Sequence, residues 1–231
     1  MEIGIGTGGW QYFPLATVDK LRGYTKVFDF VEVNSTYYSS IPLAAVTGWE
    51  EAVPPESEFS VKFTREVNAA LCSEDISQLL SQMESMARIC EMLDASMLVV
   101  QTPKRLNMSR VAHQAVMKMT SLARERTLRL AWRTRCLPSS STLAFLQSNG
   151  VIQVTDLTRR SPDCFDDVLY SKLFGRERHT MCRFSEGNYR NIEERVTSCN
   201  PKKAYLAFHG VGMHADALKF KLLIGTRDRS N

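Results

Sequence analysis

The nine residues FVEVNSTYY, Phe30 to Tyr38, decide the fold because they place polar side chains in a strand that is otherwise apolar. Successive side chains of a strand point to opposite faces, so Val31 and Val33 share one face while Glu32 and Asn34 share the other. Valines suit packing against helices. The pattern therefore predicts a barrel strand, with its valines toward surrounding helices and its polar pair toward the barrel axis.

Short β-rich runs alternate with helical runs along the rest of the chain. The predicted strands cover residues 3–7, 28–34, 59–63, 96–102, 128–133, 151–156, 169–175 and 203–209. Eight strands, most of them followed by a helical run, favour an α/β fold of the (β/α)8 TIM-barrel type, with parallel strands and one domain over residues 1–231. An open doubly wound sheet shows the same alternation, but the glycines of GIGTGGW are followed by no helix in the register that its phosphate-binding fingerprint requires.

The clearest helical pattern spans residues 73–93, where Ser73 can cap a helix with one apolar stripe. Further helices are predicted over residues 109–125, capped by Ser109, and over 44–51, 141–148, 192–196 and 214–225. The polar stretch 176–190 is predicted as an exposed loop after the seventh strand, either ordinary surface or a lid over the barrel mouth.

The composition favours no particular partner. The net charge of +4 and the pI of about 8.7 permit a nucleic-acid ligand but do not favour one, since no block of lysines and arginines stands out. No apolar run approaches the ~20 residues of a membrane helix, and the first residues lack a signal-peptide pattern. The six cysteines are scattered without a Cys-x-x-Cys pair. We expect a cytoplasmic protein with reduced thiols and no membrane association.

Polar residues recur late in the predicted strands, on the face that alternation assigns to the barrel interior. They are Glu32, Asn34, Lys62, Gln101, Arg133, Lys172 and His209. Barrel enzymes place their sites at the carboxyl ends of the strands, so this set predicts a ligand site there. Its excess of positive charge favours a small anion, phosphate or carboxylate. The alternative is a self-satisfied network, such as a Glu32–Lys62 ion pair with the two amides as hydrogen-bonding neighbours.

In the leading interpretation, Glu32 is a general acid/base and Lys62 an electrostatic stabiliser or, as a second option, an imine-forming amine. The remaining members bind substrate: Arg133 and Lys172 hold the anion, Asn34 and Gln101 orient the substrate, and His209 faces the axis beside them. Trp10, Tyr37 and Tyr38 are expected above the mouth, where they stack on a ligand or close the barrel.

Two histidines near the end of the last strand allow a metal site as an alternative. His209 and His214 could join Glu32 as two histidines and one carboxylate, but the spacing HGVGMH is weak support for it. No metal and no cofactor is therefore predicted.

An ordered series of motifs resembles the YecE-like family, a TIM-barrel family of unknown function (DUF72). The series is GTGGW at 6–10, FVEVNSTYY, Pro42, Trp49 and FSVKF at 59–63. The resemblance implies a (β/α)8 barrel and no established activity. The later strands depart from the family pattern, with Ala131 in place of an acid, Phe174 in place of a histidine and His209-Gly210 in place of two asparagines.

These departures identify the chain as a divergent member and leave two hypotheses open. One is an enzyme acting on a small anionic or phosphorylated substrate at the barrel mouth. The other is a non-catalytic barrel that binds a nucleotide or nucleic acid and has lost part of the family's site.

Overall fold

The eight strands lie within two residues of their predicted positions. The computed structural model describes residues 1–15, 19–72, 76–102, 109–134, 138–163, 166–175 and 183–228. Its strands are β1 (Glu2–Thr7), β2 (Phe30–Val33), β3 (Glu58–Lys62), β4 (Met97–Thr102), β5 (Arg129–Thr134), β6 (Ile152–Thr155), β7 (Val168–Leu173) and β8 (Lys203–Phe208).

Helices follow or separate these strands. They are α1 (Lys20–Thr25), α2 (Leu43–Glu50), α3 (Val67–Cys72), α4 (Ser77–Met92), α5 (Arg110–Glu125), α6 (Ser140–Ser148), α7 (Glu186–Cys199) and α8 (Met213–Asp228). A short 3-10 helix, Ser35–Tyr37, follows β2 directly. No helix within the described ranges has the length and apolar character needed to cross a lipid bilayer.

The strands close into a barrel in the order β1 to β8. Strand β8 pairs with β1 along its whole length, from Glu2 opposite Lys203 to Thr7 opposite Phe208. Every pair whose register is defined is parallel. The predicted (β/α)8 fold is therefore confirmed, because parallel neighbours need a crossover connection and a described helix lies in most of these connections.

The chain packs as two compact units. The first unit comprises Met1–Glu32, Val53–Glu58 and Thr155–Asn231, and the second comprises Val33–Ala52 and Phe59–Val154. Strands β1, β7 and β8 belong to the first unit, and β4 and β5 belong to the second.

Strand β2 shows why the fold tolerates polar residues in an apolar run. All four of its residues are buried, with Glu32 at 0% exposure and Val33 at 0%. Parallel strands are covered on both faces, by helices outside and by facing strands inside. The valines therefore suit the helix-covered face, and the opposite face can carry a charge only where other polar groups meet it.

The Tyr24 hydroxyl of α1 joins β1 to β2. It accepts a hydrogen bond from the Thr7 backbone N–H at 2.8 Å and donates one to the Phe30 carbonyl at 2.8 Å. Burial raises the pKa of Tyr24, so the hydroxyl stays a donor. The sequence predicted no helix between these strands, and α1 is stabilised by this side chain rather than by an amphipathic pattern.

Helix boundaries differ from the predictions in two places. Helix α4 begins at Ser77 rather than in the segment of Ser73, which lies outside the described residues. Helix α7 begins at Glu186, so the predicted loop 176–190 is wrong for its last five residues; residues 176–182 lie outside the described part. A capping box between Ser185 and Asn188 starts α7, a signal that the sequence analysis missed.

Two other sequence-based assignments concern caps and cysteines. The predicted cap of α5 is confirmed, because the Ser109 hydroxyl accepts from the Ala112 N–H at 3.2 Å. Cys90, which is buried, and Cys199 are free thiols. Cys136, Cys164 and Cys182 lie outside the described residues.

Candidate active site

An ion pair between Glu32 and Lys172 lies at the centre of the first unit. The Lys172 ammonium donates to Glu32 Oε1 at 2.6 Å, and both side chains have 0% exposure. Strands β2 and β7 are not neighbours in the barrel order, so the contact crosses the barrel interior. Alternation predicted both side chains to point inward, and this contact agrees with it. The Glu32–Lys62 ion pair named in the sequence analysis stays a prediction.

Tyr170 supplies the second partner of the carboxylate. Its hydroxyl donates to Glu32 Oε2 at 2.9 Å, so each carboxylate oxygen accepts a strong hydrogen bond. The Tyr170 ring also packs against Phe30 and Tyr205, with centroids 6.1 and 5.9 Å away. The inward face of β2 and β7 thus carries an aromatic layer, Phe30 and Tyr170, and a charged layer two residues farther along, Glu32 and Lys172.

His209 lies beside the ion pair, directly after β8. Its Nε2 is 3.8 Å from Glu32 Oε1, an ion-pair distance that is too long for a hydrogen bond. The ring stacks on Phe174, with centroids 4.7 Å apart and an interplanar angle of 14°. At 8% exposure, His209 is the member of this group that solvent reaches.

The absence of a side chain at Gly8 leaves space for the His209 ring. A Cβ at position 8 would lie 2.2 Å from His209 Cε1 and 2.4 Å from Nδ1, closer than any side chain can approach. A glycine is therefore required here by packing, which explains one glycine of the GTGGW motif. The Nδ1 edge of the ring faces this backbone, and the Nε2 edge faces Glu32.

The loop after β6 fixes the position of Phe174. Asp156 Oδ2 accepts from the Phe174 N–H at 3.2 Å, and its Oδ1 accepts from the Thr158 N–H and hydroxyl at 3.0 and 2.6 Å. Burial raises the pKa of Asp156, while these hydrogen bonds oppose the rise. Arg159 donates to the Gly175 carbonyl at 3.0 and 2.9 Å. Hydrogen bonds to the Phe174 N–H and to the Gly175 carbonyl thus fix the backbone that carries the Phe174 ring.

Lys62 is the central candidate of the second unit. Its ammonium lies 3.8 Å from the centroid of the Tyr37 ring and 6.0 Å from that of Tyr38, and the residue is 5% exposed. The Thr36 hydroxyl donates to the Lys62 carbonyl at 2.5 Å, which holds the 3-10 helix against the end of β3. A cation over an aromatic face keeps its full charge, because the ring attracts it without neutralising it.

Gln101 and Arg133 lie opposite each other on β4 and β5. An Arg133 guanidinium nitrogen is 3.4 Å from Gln101 Oε1, a long and weak hydrogen bond. Asn34 precedes the 3-10 helix at its cap position but makes no capping bond with its side chain. Its Oδ1 is buried and has no hydrogen-bond partner among the residues that the structure describes.

The remaining candidates lie in different surroundings. Trp10 is buried at 8% exposure, whereas Tyr38 is 64% exposed and contacts Tyr37 edge to face at 5.1 Å. His214 Nε2 lies 3.2 Å from the Gly9 carbonyl, and its ring packs on Phe13 at 5.3 Å. Within the described part of the chain, no three His, Cys, Asp or Glu side chains are grouped to hold a metal ion.

Sequence reasoning missed two participants. Tyr170 lies two residues before Lys172 and so shares its strand face, which alternation along β7 could have indicated. Tyr37 was grouped with Tyr38 above the mouth, and only the 3-10 geometry shows that Tyr37 is the ring against Lys62.

Comparisons with known proteins place this geometry in a family. Residues 4–229 match the family described as "Protein of unknown function DUF72". A DUF72 family protein from Enterococcus faecalis V583 superposes with a TM-score of 0.75 at 18% identity, covering 97% of this chain and 98% of that one. No curated protein matches significantly.

Other solved barrels resemble the chain more distantly. A D-psicose 3-epimerase solved in the presence of D-fructose gives a TM-score of 0.60 at 14% identity, covering 94% and 89% of the two chains. A sugar phosphate isomerase/epimerase from Parabacteroides distasonis gives 0.60 at 12% identity, covering 94% and 91%. At these identities the likeness establishes the fold alone.

Proposed function

Because the chain belongs to the DUF72 family, whose description names no function, we propose from its geometry that it is an enzyme transferring protons on a small anionic, sugar-phosphate-like substrate. The observation that carries the proposal is the buried Glu32–Lys172 pair with Tyr170 and His209 against it. These are groups that exchange protons, and they converge on one carboxylate.

The energetics favour a chemical role for this cluster. Removing two charges from water is costly, and replacing a buried ion pair by apolar residues often leaves a protein equally or more stable. A barrel interior filled by Val, Leu and Ile would serve the fold as well. The tyrosine and the histidine beside the pair pack against aromatic rings, and they also suit acid–base chemistry.

In this proposal His209 meets the substrate, since at 8% exposure it is the least buried member of the cluster of Glu32, Tyr170, Lys172 and His209. Its imidazole takes a proton from a carbon next to a carbonyl, which leaves an enolate, and returns the proton to the same carbon on either face. Glu32, 3.8 Å from Nε2, stabilises the imidazolium that forms. Lys172 and Tyr170 hold the carboxylate in place, and catalytic contacts of this length tighten when substrate binds.

Two observations support the substrate class. The polar residues predicted at the strand ends include more cations than carboxylates, which favours an anionic ligand. In addition, structural neighbours are described as a D-psicose 3-epimerase and a sugar phosphate isomerase/epimerase, and such reactions commonly move a proton at carbon. Lys62 keeps the proposed role of electrostatic stabiliser and Asn34 and Gln101 that of orienting groups.

The test is deuterium wash-in. Wild-type protein is incubated in D2O with a panel of aldose and ketose phosphates, and proton NMR follows the loss of C–H signals. Glu32→Gln and His209→Asn should slow exchange about 100-fold or more, the usual contribution of a general acid–base group. Glu186→Gln, an exposed carboxylate at the start of α7, is the matched control. Wild-type exchange rates in both site variants would refute the proposal.

A second candidate is a non-catalytic barrel that binds nucleotides or nucleic acid. The observation favouring it is that Glu32 and Lys172 both have 0% exposure, as a purely internal ion pair would. Stabilisation of the protein by nucleotides with no deuterium wash-in on any sugar phosphate would support it. Nucleic-acid binding would further have to weaken steeply with salt.

A further inference from the structure

The loop that follows β6, residues 156–159, is fastened to neighbouring elements of the first unit, and we call it the β6 loop. The Ser171 hydroxyl of β7 donates to the Thr155 carbonyl at 3.0 Å and accepts from the Leu157 N–H at 3.3 Å. Arg195 of α7 donates to the Leu157 carbonyl. Hydrogen bonds to two other elements give the side chains of this loop defined positions.

Two side chains of the β6 loop hold the backbone that follows β7. Asp156 Oδ2 accepts from the Phe174 N–H at 3.2 Å, and Arg159 donates to the Gly175 carbonyl at 3.0 and 2.9 Å. Gly175 has a φ of +77°, so the chain turns directly after Phe174 in a conformation that favours glycine. The backbone on both sides of the Phe174 side chain is therefore bonded to one anchored loop.

The Phe174 ring in turn orients the His209 imidazole. The two rings stack with centroids 4.7 Å apart and an interplanar angle of 14°, so Phe174 covers one face of the imidazole. The Gly8 backbone lies against the edge formed by Cε1 and Nδ1, and Glu32 Oε1 lies 3.8 Å from Nε2. A tilt of the imidazole would change that last distance, and polar contacts weaken steeply as their geometry worsens.

We propose that Asp156 and Phe174 are positioning residues for the proton transfer: Asp156 fixes the Phe174 ring, and this ring sets the plane of His209 relative to Glu32. Neither side chain has to touch the substrate. The inference rests on the proposed function and deepens it, because it gives the β6 loop a part in that reaction. A displacement of about 1 Å can slow a reaction about 100-fold, so the loss of this support should be measurable.

NMR spectroscopy tests the orientation of His209 without turnover. The chain has four histidines, and the imidazole protons of His209 are assigned by the loss of their signals in His209→Asn. The ring current of an aromatic side chain shifts protons near its face upfield. These signals should therefore move downfield in Phe174→Leu, which has no ring, and in Asp156→Ala, which leaves the Phe174 N–H without this acceptor. Phe174→Tyr, which keeps a ring, should retain the wild-type positions.

Deuterium wash-in gives the kinetic readout, on a sugar phosphate whose C–H the wild type exchanges. Asp156→Ala and Phe174→Leu should each lower the exchange rate at saturating substrate at least about ten-fold, with little change in KM, because neither residue binds substrate in this account. Phe174→Tyr should recover most of the rate, and Glu186→Gln, an exposed position at the start of α7, should exchange like the wild type. Phe174→Leu removes no backbone hydrogen bond and tests the ring even where Asp156→Ala is unstable.

The two readouts separate the possible failures. If the wild type exchanges no sugar phosphate, the proposed function fails, and the NMR signals still decide whether Asp156 and Phe174 orient His209. Unchanged His209 signals in Asp156→Ala and Phe174→Leu would overturn the inference. Shifted signals with an undiminished exchange rate would also overturn it, because the contacts would then serve the structure alone.

Discussion

Two inward-facing lysines of this barrel are held in opposite ways. Lys172 of the first unit donates to a carboxylate at 2.6 Å and has 0% exposure, whereas Lys62 of the second unit lies over a tyrosine ring at 3.8 Å with 5% exposure. The described partner of Lys172 is a carboxylate, and that of Lys62 is an aromatic face. Burial alone therefore does not tell what a strand lysine contributes, because the two kinds of partner stabilise an ammonium by different amounts.

The largest expected effect comes from breaking the neutral pair. Lys172→Met leaves the Glu32 carboxylate buried without its cation, which should lower the free energy of unfolding by about 3–5 kcal/mol. Glu32→Gln combined with Lys172→Met removes both charges and should recover most of that loss. Urea unfolding of the two single variants and the double variant measures the coupling.

This cycle also has an outcome that would contradict the comparison. If the losses in Lys172→Met and Glu32→Gln simply add in the double variant, the two charges do not depend on each other. The described contact between them would then contribute nothing to stability.

A smaller effect is expected at the other lysine. Lys62→Met removes an ammonium whose described partner is an aromatic face, and such an interaction contributes about 0.5–2 kcal/mol. Urea unfolding should therefore show a loss no greater than about 2 kcal/mol, clearly below that of Lys172→Met. A loss as large as that of Lys172→Met would show that Lys62 neutralises a buried charge as well, and the contrast between the two lysines would fail.

The smallest effect is a difference in pH dependence. Burial lowers the pKa of His214, whose ring packs on Phe13 and Tyr24 in the first unit. A lowered folded-state pKa means that its contribution to stability is present above the unfolded value of about 6.5 and is lost as pH falls through the folded value. Between pH 7.5 and 5, the free energy of unfolding of the wild type should fall more than that of His214→Gln, as urea unfolding at the two pH values would show.

An exposed arginine gives the internal reference for that measurement. Arginine does not titrate in this range, so Arg88→Gln, at an exposed position of α4, should keep the wild-type pH slope. Equal slopes in His214→Gln and the wild type would mean that His214 does not remain neutral in the folded protein.

Local sequence patterns predicted the strands and the faces of their side chains. Period-two alternation is a property of a single strand, and it placed Glu32 and Lys172 inward without any knowledge of their neighbours. The resemblance carried by GTGGW and FVEVNSTYY added the family, which the match over residues 4–229 confirms.

The pairing inside the barrel was beyond such patterns. The contact of Glu32 with Lys172 depends on the closure of the barrel, which brings together residues 140 positions apart in the sequence. The interactions of Tyr37 and Phe174 likewise depend on backbone geometry after the strand ends, a 3-10 helix in one case and the Asp156 hydrogen bonds in the other. Alternation predicts the face to which a side chain points, whereas the residue that it contacts depends on the fold.

The central claim is that the Glu32–Lys172 cluster performs proton chemistry rather than merely filling the barrel. Deuterium wash-in with the double variant, Glu32→Gln and Lys172→Met, tests it most directly, because this protein should be about as stable as the wild type. We expect deuterium exchange at least about 100-fold slower than in the wild type, measured on a sugar phosphate whose C–H the wild type exchanges. A double variant that is stable and exchanges at the wild-type rate would show that the pair is structural.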